Sequence, residues 1–152
     1  MSEENKMTVR IKKLRDDAKV PQRGTAAAAG ADLYACFDGG FIDIEPGDTV
    51  MIPTGIAAEI PDGYAGLIMA RSGLSVKRDL APANKVGLID SDYRGEIMVA
   101  LHNHGALRQT IEFHERVAQL MIVPYVQADY VEADDLSDTV RGEGGFGSTG
   151  TK

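Results

Sequence analysis

The sequence predicts an all-β protein, a jelly-roll or distorted β-barrel built as one domain with a single short helix. Three features point there: short runs in which apolar and polar side chains alternate, glycine and proline turn signals between them, and only one stretch with helical character. Residues 1–7 are polar and expected to fray. The alternation begins over 8–14, where apolar and basic side chains take turns as in a half-buried strand. Further strands are expected over 31–36, 41–44, 49–52, 55–60, 64–69, 85–89, 96–102, 109–113 and 117–126. Turns fall at Asp38-Gly39, Pro46-Gly47, Pro61-Asp62-Gly63 and 103–105. The helix is expected over 72–80, with Ser72 as its N-cap. Four alanines at 26–29 favour helix by propensity, but the run is too short to nucleate and lies against Gly24 and Gly30. It reads as a loop entering a strand.

A chain of 152 residues suffices for one real core and needs no second domain. A β body over 1–140 followed by a flexible glycine-rich segment over 141–152 is the expected organisation. Cys36 is the only cysteine, so no intrachain disulfide exists, and the apolar runs are too short for a membrane span or a signal peptide. A reducing, cytoplasmic setting follows as the expectation. Sixteen Lys and Arg oppose 23 Asp and Glu, a net charge of -7 that opposes attraction to a nucleic-acid polymer. The same field repels a free nucleoside triphosphate, so such a ligand would need local arginines, backbone amides and a divalent ion.

Two segments carry chemistry. In the first, Gly87, Leu88 and Ile89 lead into Asp90, Ser91, Asp92, Tyr93, Arg94 and Gly95, and the chain returns over 96–101, which reads as a β-hairpin with two carboxylates and a tyrosine at its tip. Such a tip can offer a ring and a general base to a ligand. An Asp-Ser-Asp turn is also a common self-capped loop, and a metal-binding Asp-x-Asp is a further reading. In the second, Arg71, Ser72 and Gly73 open the helix, where unpaired amides and a forked guanidinium suit a phosphate. A capped helix with a solvated arginine would look the same. Weaker signals lie at 29–33 and at 116–120, each reading first as a strand with one polar inward residue. The end of the chain, 141–150, has five glycines in ten residues around Arg141, Phe146, Ser148 and Thr149. It is either a flexible tail or a lid for a phosphorylated, ring-containing ligand.

Taken together and in order, five segments resemble the signature motifs of the trimeric dUTPases: 29–34, 70–75, 87–97, 115–120 and 141–150. The resemblance spans 29–150. One departure is Ala70, where the family usually has proline; it removes no group that meets a ligand. The resemblance implies a jelly-roll subunit that forms a homotrimer with three active sites at its interfaces. In that arrangement the third motif comes from one subunit, the first, second and fourth from a neighbour, and the tail from the remaining one.

The implied reaction is hydrolysis of dUTP to dUMP and pyrophosphate, which limits uracil in DNA and supplies dUMP for dTMP synthesis. By resemblance Asp90 is the general base that activates a water for attack on the α-phosphorus. Asp32 reaches the water shell of Mg2+ held by the phosphates. Arg71, Ser72, Gly73 and Gln119 line the phosphate chain, and Arg141, Gly147, Ser148 and Thr149 belong to the segment that closes on the γ-phosphate. Asn84, Gly87, Leu88, Ile89 and Met98 belong to the uracil pocket, Tyr93 packs on the deoxyribose and excludes a 2'-hydroxyl, and Phe146 stacks on the base. A rigid backbone pocket refuses the thymine methyl, and cytosine leaves buried groups unpaired.

The histidines read as structural: His102 and His104 share strand parity but lack a third ligand, and His114 lies in a loop. Cys36 reads as a small buried hydrophobe. Two alternatives remain, a dCTP deaminase of the same fold and a noncatalytic nucleotide-binding module. Ammonia release would mark the first, and absence of pyrophosphate release the second.

Overall fold

The computed structural model describes residues 7–145. Residues 1–6, on which most of the expected fraying falls, and the candidate lid residues Phe146, Gly147, Ser148 and Thr149 lie outside the described residues. Within them are eleven strands and one helix: β1 (Arg10–Lys13), β2 (Ala31–Tyr34), β3 (Phe41–Ile44), β4 (Thr49–Pro53), β5 (Ile56–Glu59), β6 (Tyr64–Met69), α1 (Ser72–Arg78), β7 (Leu80–Pro82), β8 (Gly87–Ile89), β9 (Met98–Asn103), β10 (Gln109–Glu112) and β11 (Arg116–Pro124).

These strands form four sheets, ordered β1-β5, β3-β10, β2-β11-β6-β8 and β4-β9-β7, and every ladder is antiparallel. The expected all-β architecture with one short helix is present, but the sheets do not close into a barrel. Side-chain alternation decides which face is inside. On β9, Val99, Leu101 and Asn103 are buried while Met98, Ala100 and His102 face outward. Ile44, Ile52, Ile56, Ile97 and Ile111 join them in one core with Leu33, Leu80 and Val117.

Three local expectations are corrected. Ser72 does not cap α1: Arg71 occupies the N-cap position with no side-chain capping bond, and its carbonyl accepts from the amides of Leu74 and Ser75. The helix stops at Arg78 because Asp79 turns left-handed (φ 53°), and Leu80 and Pro82 are drawn into the core as strand β7 against β9. The segment around Asp90 is not a laddered hairpin either. β8 pairs with β6, whereas β9 pairs with β4 and β7, so the chain crosses from one sheet to another through residues 90–97. The alanine run behaves as expected, forming a turn closed by Ala28 N–H donating to the Thr25 carbonyl (3.1 Å).

Asn103 is the polar centre of the core. Its Nδ2 donates to the carbonyls of Ile44 (2.9 Å) and Leu107 (2.8 Å), and its Oδ1 accepts from the Gly105 amide (2.9 Å). Asn103→Ala strands those backbone groups without partners, each worth about 1–3 kcal/mol when buried. A clear fall in the thermal midpoint is expected, measured by circular dichroism. Cys36 is buried as expected, and burial pushes its thiol up.

Candidate active site

β11 runs between β2 and β6, so Gln119 sits opposite Asp32 on one side and Met69 on the other. That register gathers the first, second and fourth candidate segments at one end of the four-stranded sheet. There Arg71 Nε donates to Asp32 Oδ1 (2.8 Å), Arg116 Nη1 donates to Asp32 Oδ2 (3.2 Å), and Arg71 Nη1 donates to the Arg116 carbonyl (3.1 Å). Asp32 and Arg71 are largely buried, while Arg116 reaches solvent. One carboxylate between two guanidiniums leaves a local surplus of positive charge on an acidic protein, suited to an anion. Arg116 was not singled out in the sequence. Its signal was the basic residue at the start of the fourth segment, beside Glu115.

The turn carrying Arg71, Ser72 and Gly73 is held from two sides. Gln119 Nε2 donates to the Ala70 carbonyl (2.8 Å), a group that proline also offers. Gly30 makes room for this contact: a Cβ there would stand 2.7 Å from Gln119 Oε1. At the far end of α1, Arg78 Nε donates to Gln109 Oε1 (3.0 Å), and its other nitrogens bond Glu115 and the Thr110 carbonyl. The helix is thereby fixed to β10 and to Glu115, directly before the strand β11 that carries Arg116 and Gln119. Its first amides, those of Ser72 and Gly73, precede the helical ladder and have no intrahelical acceptor.

A second site lies on the edge strand β8. A pocket of about 260 Å³ is lined by Met51, Leu88, Ile89, Asp90, Tyr93, Glu96 and Met98. Gly87 is buried, and a Cβ there would stand 3.3 Å from Asn84 Nδ2, so Asn84 folds back against the start of the strand. After Ile89 the Tyr93 amide donates to the Asp90 carbonyl (3.2 Å), and the Tyr93 hydroxyl donates to the Glu96 carbonyl (2.9 Å). The return is pinned to the core: Glu96 Oε1 accepts from the Gly55 amide (2.8 Å), and the Ile97 amide donates to the Ile56 carbonyl (2.8 Å). Asp90 is exposed on the wall of the pocket, and Leu88 and Met51 leave more than half of their surface in solvent. An open apolar rim of this kind marks a surface made for a ligand or a partner.

The two sites are far apart on the chain's surface. β8 runs antiparallel to β6 with Ile89 opposite Gly66, so Asp90 lies near the start of β6 while Arg71 lies beyond its end. The five steps from Gly66 to Arg71 span roughly 16 Å at strand rise. Across that distance the chain does not bring Asp90 to Arg71.

Beyond β11 the Tyr125 amide still donates to the Gly63 carbonyl (3.0 Å). Residues 126–143 are then exposed and form neither helix nor strand, with Val126, Tyr130, Val131, Leu136 and Val140 almost wholly in solvent. Among the described residues, Arg141 Nε donates to the Gly144 carbonyl (2.7 Å) in its own turn. His102 bonds Thr49 Oγ1 through Nδ1 (2.9 Å) and stacks edgewise on His104. Among the described residues no three His, Cys, Asp or Glu side chains form a metal cluster, and no helix is long and apolar enough to cross a membrane. A larger groove, about 950 Å³, runs beside β1 past Val9, Ile11, Leu120 and Ile122, and none of the described residues lining it is a carboxylate.

The family model for dUTPase matches residues 16–150. This chain belongs to the dUTPase family. Among curated relatives, a deoxyuridine 5'-triphosphate nucleotidohydrolase of Hydrogenobaculum sp. (strain Y04AAS1) is 47% identical over 146 residues, covering 96% of this chain and all of that protein. One from Ralstonia pickettii (strain 12J) is 48% identical, covering 95% and 98%. Among solved dUTPases, a mutant from Staphylococcus bacteriophage 80alpha with dUpNHpp superposes with a TM-score of 0.85 at 29% identity, covering 94% of this chain and 98% of that one. A mutant from phage phi11 of S. aureus, described with a structural Mg(II) ion, gives 0.76 at 26% identity over 85% and 98%. The jelly-roll fold of this dUTPase is thus shared with solved members of its family.

Proposed function

We propose that this dUTPase hydrolyses dUTP to dUMP and pyrophosphate at three sites shared among the subunits of a homotrimer. The observation that carries this reading is the exposed Asp90 carboxylate on the wall of a small apolar pocket. Uracil enters beside Asn84, Gly87, Leu88, Ile89 and Met98, and the deoxyribose rests on Tyr93. Asp90 takes a proton from a water whose oxygen bonds the α-phosphorus, while the bond from that phosphorus to the bridging oxygen breaks and pyrophosphate departs. A positioned carboxylate in this role contributes about 10²–10⁴-fold.

The separation of Asp90 from Arg71 supports a shared site, because the phosphates need guanidinium and amide donors within bonding distance. In the trimer, Asp32, Arg71, Ser72, Gly73, Arg116 and Gln119 come from a neighbour. Gln119 acts chiefly by holding the Ala70 carbonyl and thereby the Arg71 turn. The third subunit contributes 141–152 as a lid: Arg141, Gly147, Ser148 and Thr149 at the γ-phosphate and Phe146 on the base. The exposure of the apolar side chains Val126, Tyr130, Val131, Leu136 and Val140 supports this crossing, because covering them with another copy removes apolar surface from water.

Magnesium fits as part of the nucleotide rather than as a resident of a protein cage. Both oxygens of Asp32 already hold guanidiniums, and the described residues offer no cluster of three ligands. Mg2+ commonly keeps its waters and binds through substrate phosphates, so Asp32 would meet it through water. Bound with the triphosphate, the ion supplies charge neutralisation and holds one conformation of the chain. The enzyme acts on free nucleotide in the cytoplasm, limiting uracil in DNA and providing dUMP for dTMP synthesis.

Pyrophosphate release from dUTP, dCTP, dTTP and UTP, with product identification, tests the reading. Release from dUTP far above the others is expected. Ammonia from dCTP, or tight dUTP binding without turnover, would overturn it in favour of a deaminase or a binding module.

A further inference from the structure

We infer that Gly95 is a positioning residue for sugar selectivity, because the absence of a side chain there is what lets the Tyr93 ring lie where it does. This rests on the dUTP reading above and deepens it. Gly95 is not among the glycines with left-handed backbone, so its φ does not demand glycine. Space does. A Cβ on residue 95 would stand 2.4 Å from the Tyr93 hydroxyl oxygen, 2.6 Å from Cζ and 3.0 Å from Cε2, and these are its three nearest atoms. The ring therefore occupies the volume that a side chain at 95 would take.

The placement is fixed from the other side as well. The Tyr93 hydroxyl donates to the Glu96 carbonyl, one residue beyond the glycine, and Glu96 is itself anchored by the Gly55 amide. Arg94 Nη1 closes the turn on the carbonyls of Ser91 (2.6 Å) and Tyr93 (3.0 Å). The ring is thus laid across the backbone of 95 with its hydroxyl tied down, and it lines the pocket beside Asp90. One added methyl at 95 overlaps the ring and breaks the bond to Glu96. The ring must swing, which moves the wall against which the sugar packs. A wall that excludes a 2'-hydroxyl by contact stops doing so when displaced by a fraction of its own thickness.

The experiment compares kcat/KM for dUTP and UTP in the wild type, Gly95→Ala, Tyr93→Ala and the double variant. Gly95→Ala is expected to reduce the preference for dUTP over UTP by about tenfold or more. In the Tyr93→Ala background the same substitution should change the preference by less than about twofold, because the ring it displaces is gone. Should Gly95→Ala alone fail to fold, a folded double variant would show the same coupling through stability. A preference unchanged in Gly95→Ala, an equal change in both backgrounds, or a double variant that is also unfolded would each overturn the inference. A wild type that does not turn over dUTP would overturn the functional reading instead, and this inference with it.

Discussion

Asp90→Asn is expected to lower dUTP turnover by about 10²–10⁴-fold while leaving dUTP binding within a few-fold of wild type. Asparagine keeps the shape of the side chain and its place on the pocket wall, but its amide cannot take the proton from water. The contacts that shape the turn do not use the Asp90 side chain: the Tyr93 amide bonds the Asp90 carbonyl, the Tyr93 hydroxyl bonds the Glu96 carbonyl, and Arg94 bonds the carbonyls of Ser91 and Tyr93. The pocket should therefore survive the change. Single-turnover pyrophosphate release, paired with equilibrium binding of a non-hydrolysable analogue, separates the two effects. Turnover close to wild type would remove Asp90 as the base; loss of binding with loss of turnover would make it a structural residue of the turn.

Truncation after Val140 carries the second large effect. It is expected to reduce kcat/KM by roughly 10²–10³-fold, in the range found when donors to a reacting phosphate or oxyanion are removed. The melting midpoint should hardly move. Among the described residues, Arg141 bonds Gly144 and the Gly142 amide reaches back to Thr139, so residues 141–145 are held within their own turn and not to the core. A large loss of stability on truncation would mean that the segment serves the body of the subunit rather than a site.

Strand positions were legible wherever alternation was regular, as over β9, where Val99 and Leu101 point inward between Met98, Ala100 and His102. Pairing was less legible, because it depends on partners distant in sequence. β8 and β9 are neighbours along the chain and invite a hairpin, yet Gly87 and Ile89 find β6 while Met98 and Leu101 find β4 and β7. β7 was hidden because Leu80 continues the pattern of α1, and only the left-handed turn at Asp79 ends it.

The candidate site was legible in its residue types more than in its geometry. An apolar run ending in Asp90, with Tyr93 close behind, announces a pocket with a carboxylate on its wall. Nothing local announces that Asp32 is shared by Arg71 and Arg116, since the three meet only when β2, β11 and the end of β6 come together. Gly95 was equally silent: its importance lies in a ring folded back over it, visible only in three dimensions.

The central claim is that no subunit holds a complete site, and subunit mixing tests it most directly. Asp90→Asn subunits and subunits truncated after Val140 are each nearly inactive alone. After dissociation and random reassembly at equal amounts, roughly a quarter of the sites combine an intact Asp90 with an intact tail from another copy. Activity should return to a comparable fraction of wild type in the mixture. Mixed trimers shown to form by native mass spectrometry, yet no more active than the separate variants, would contradict the account.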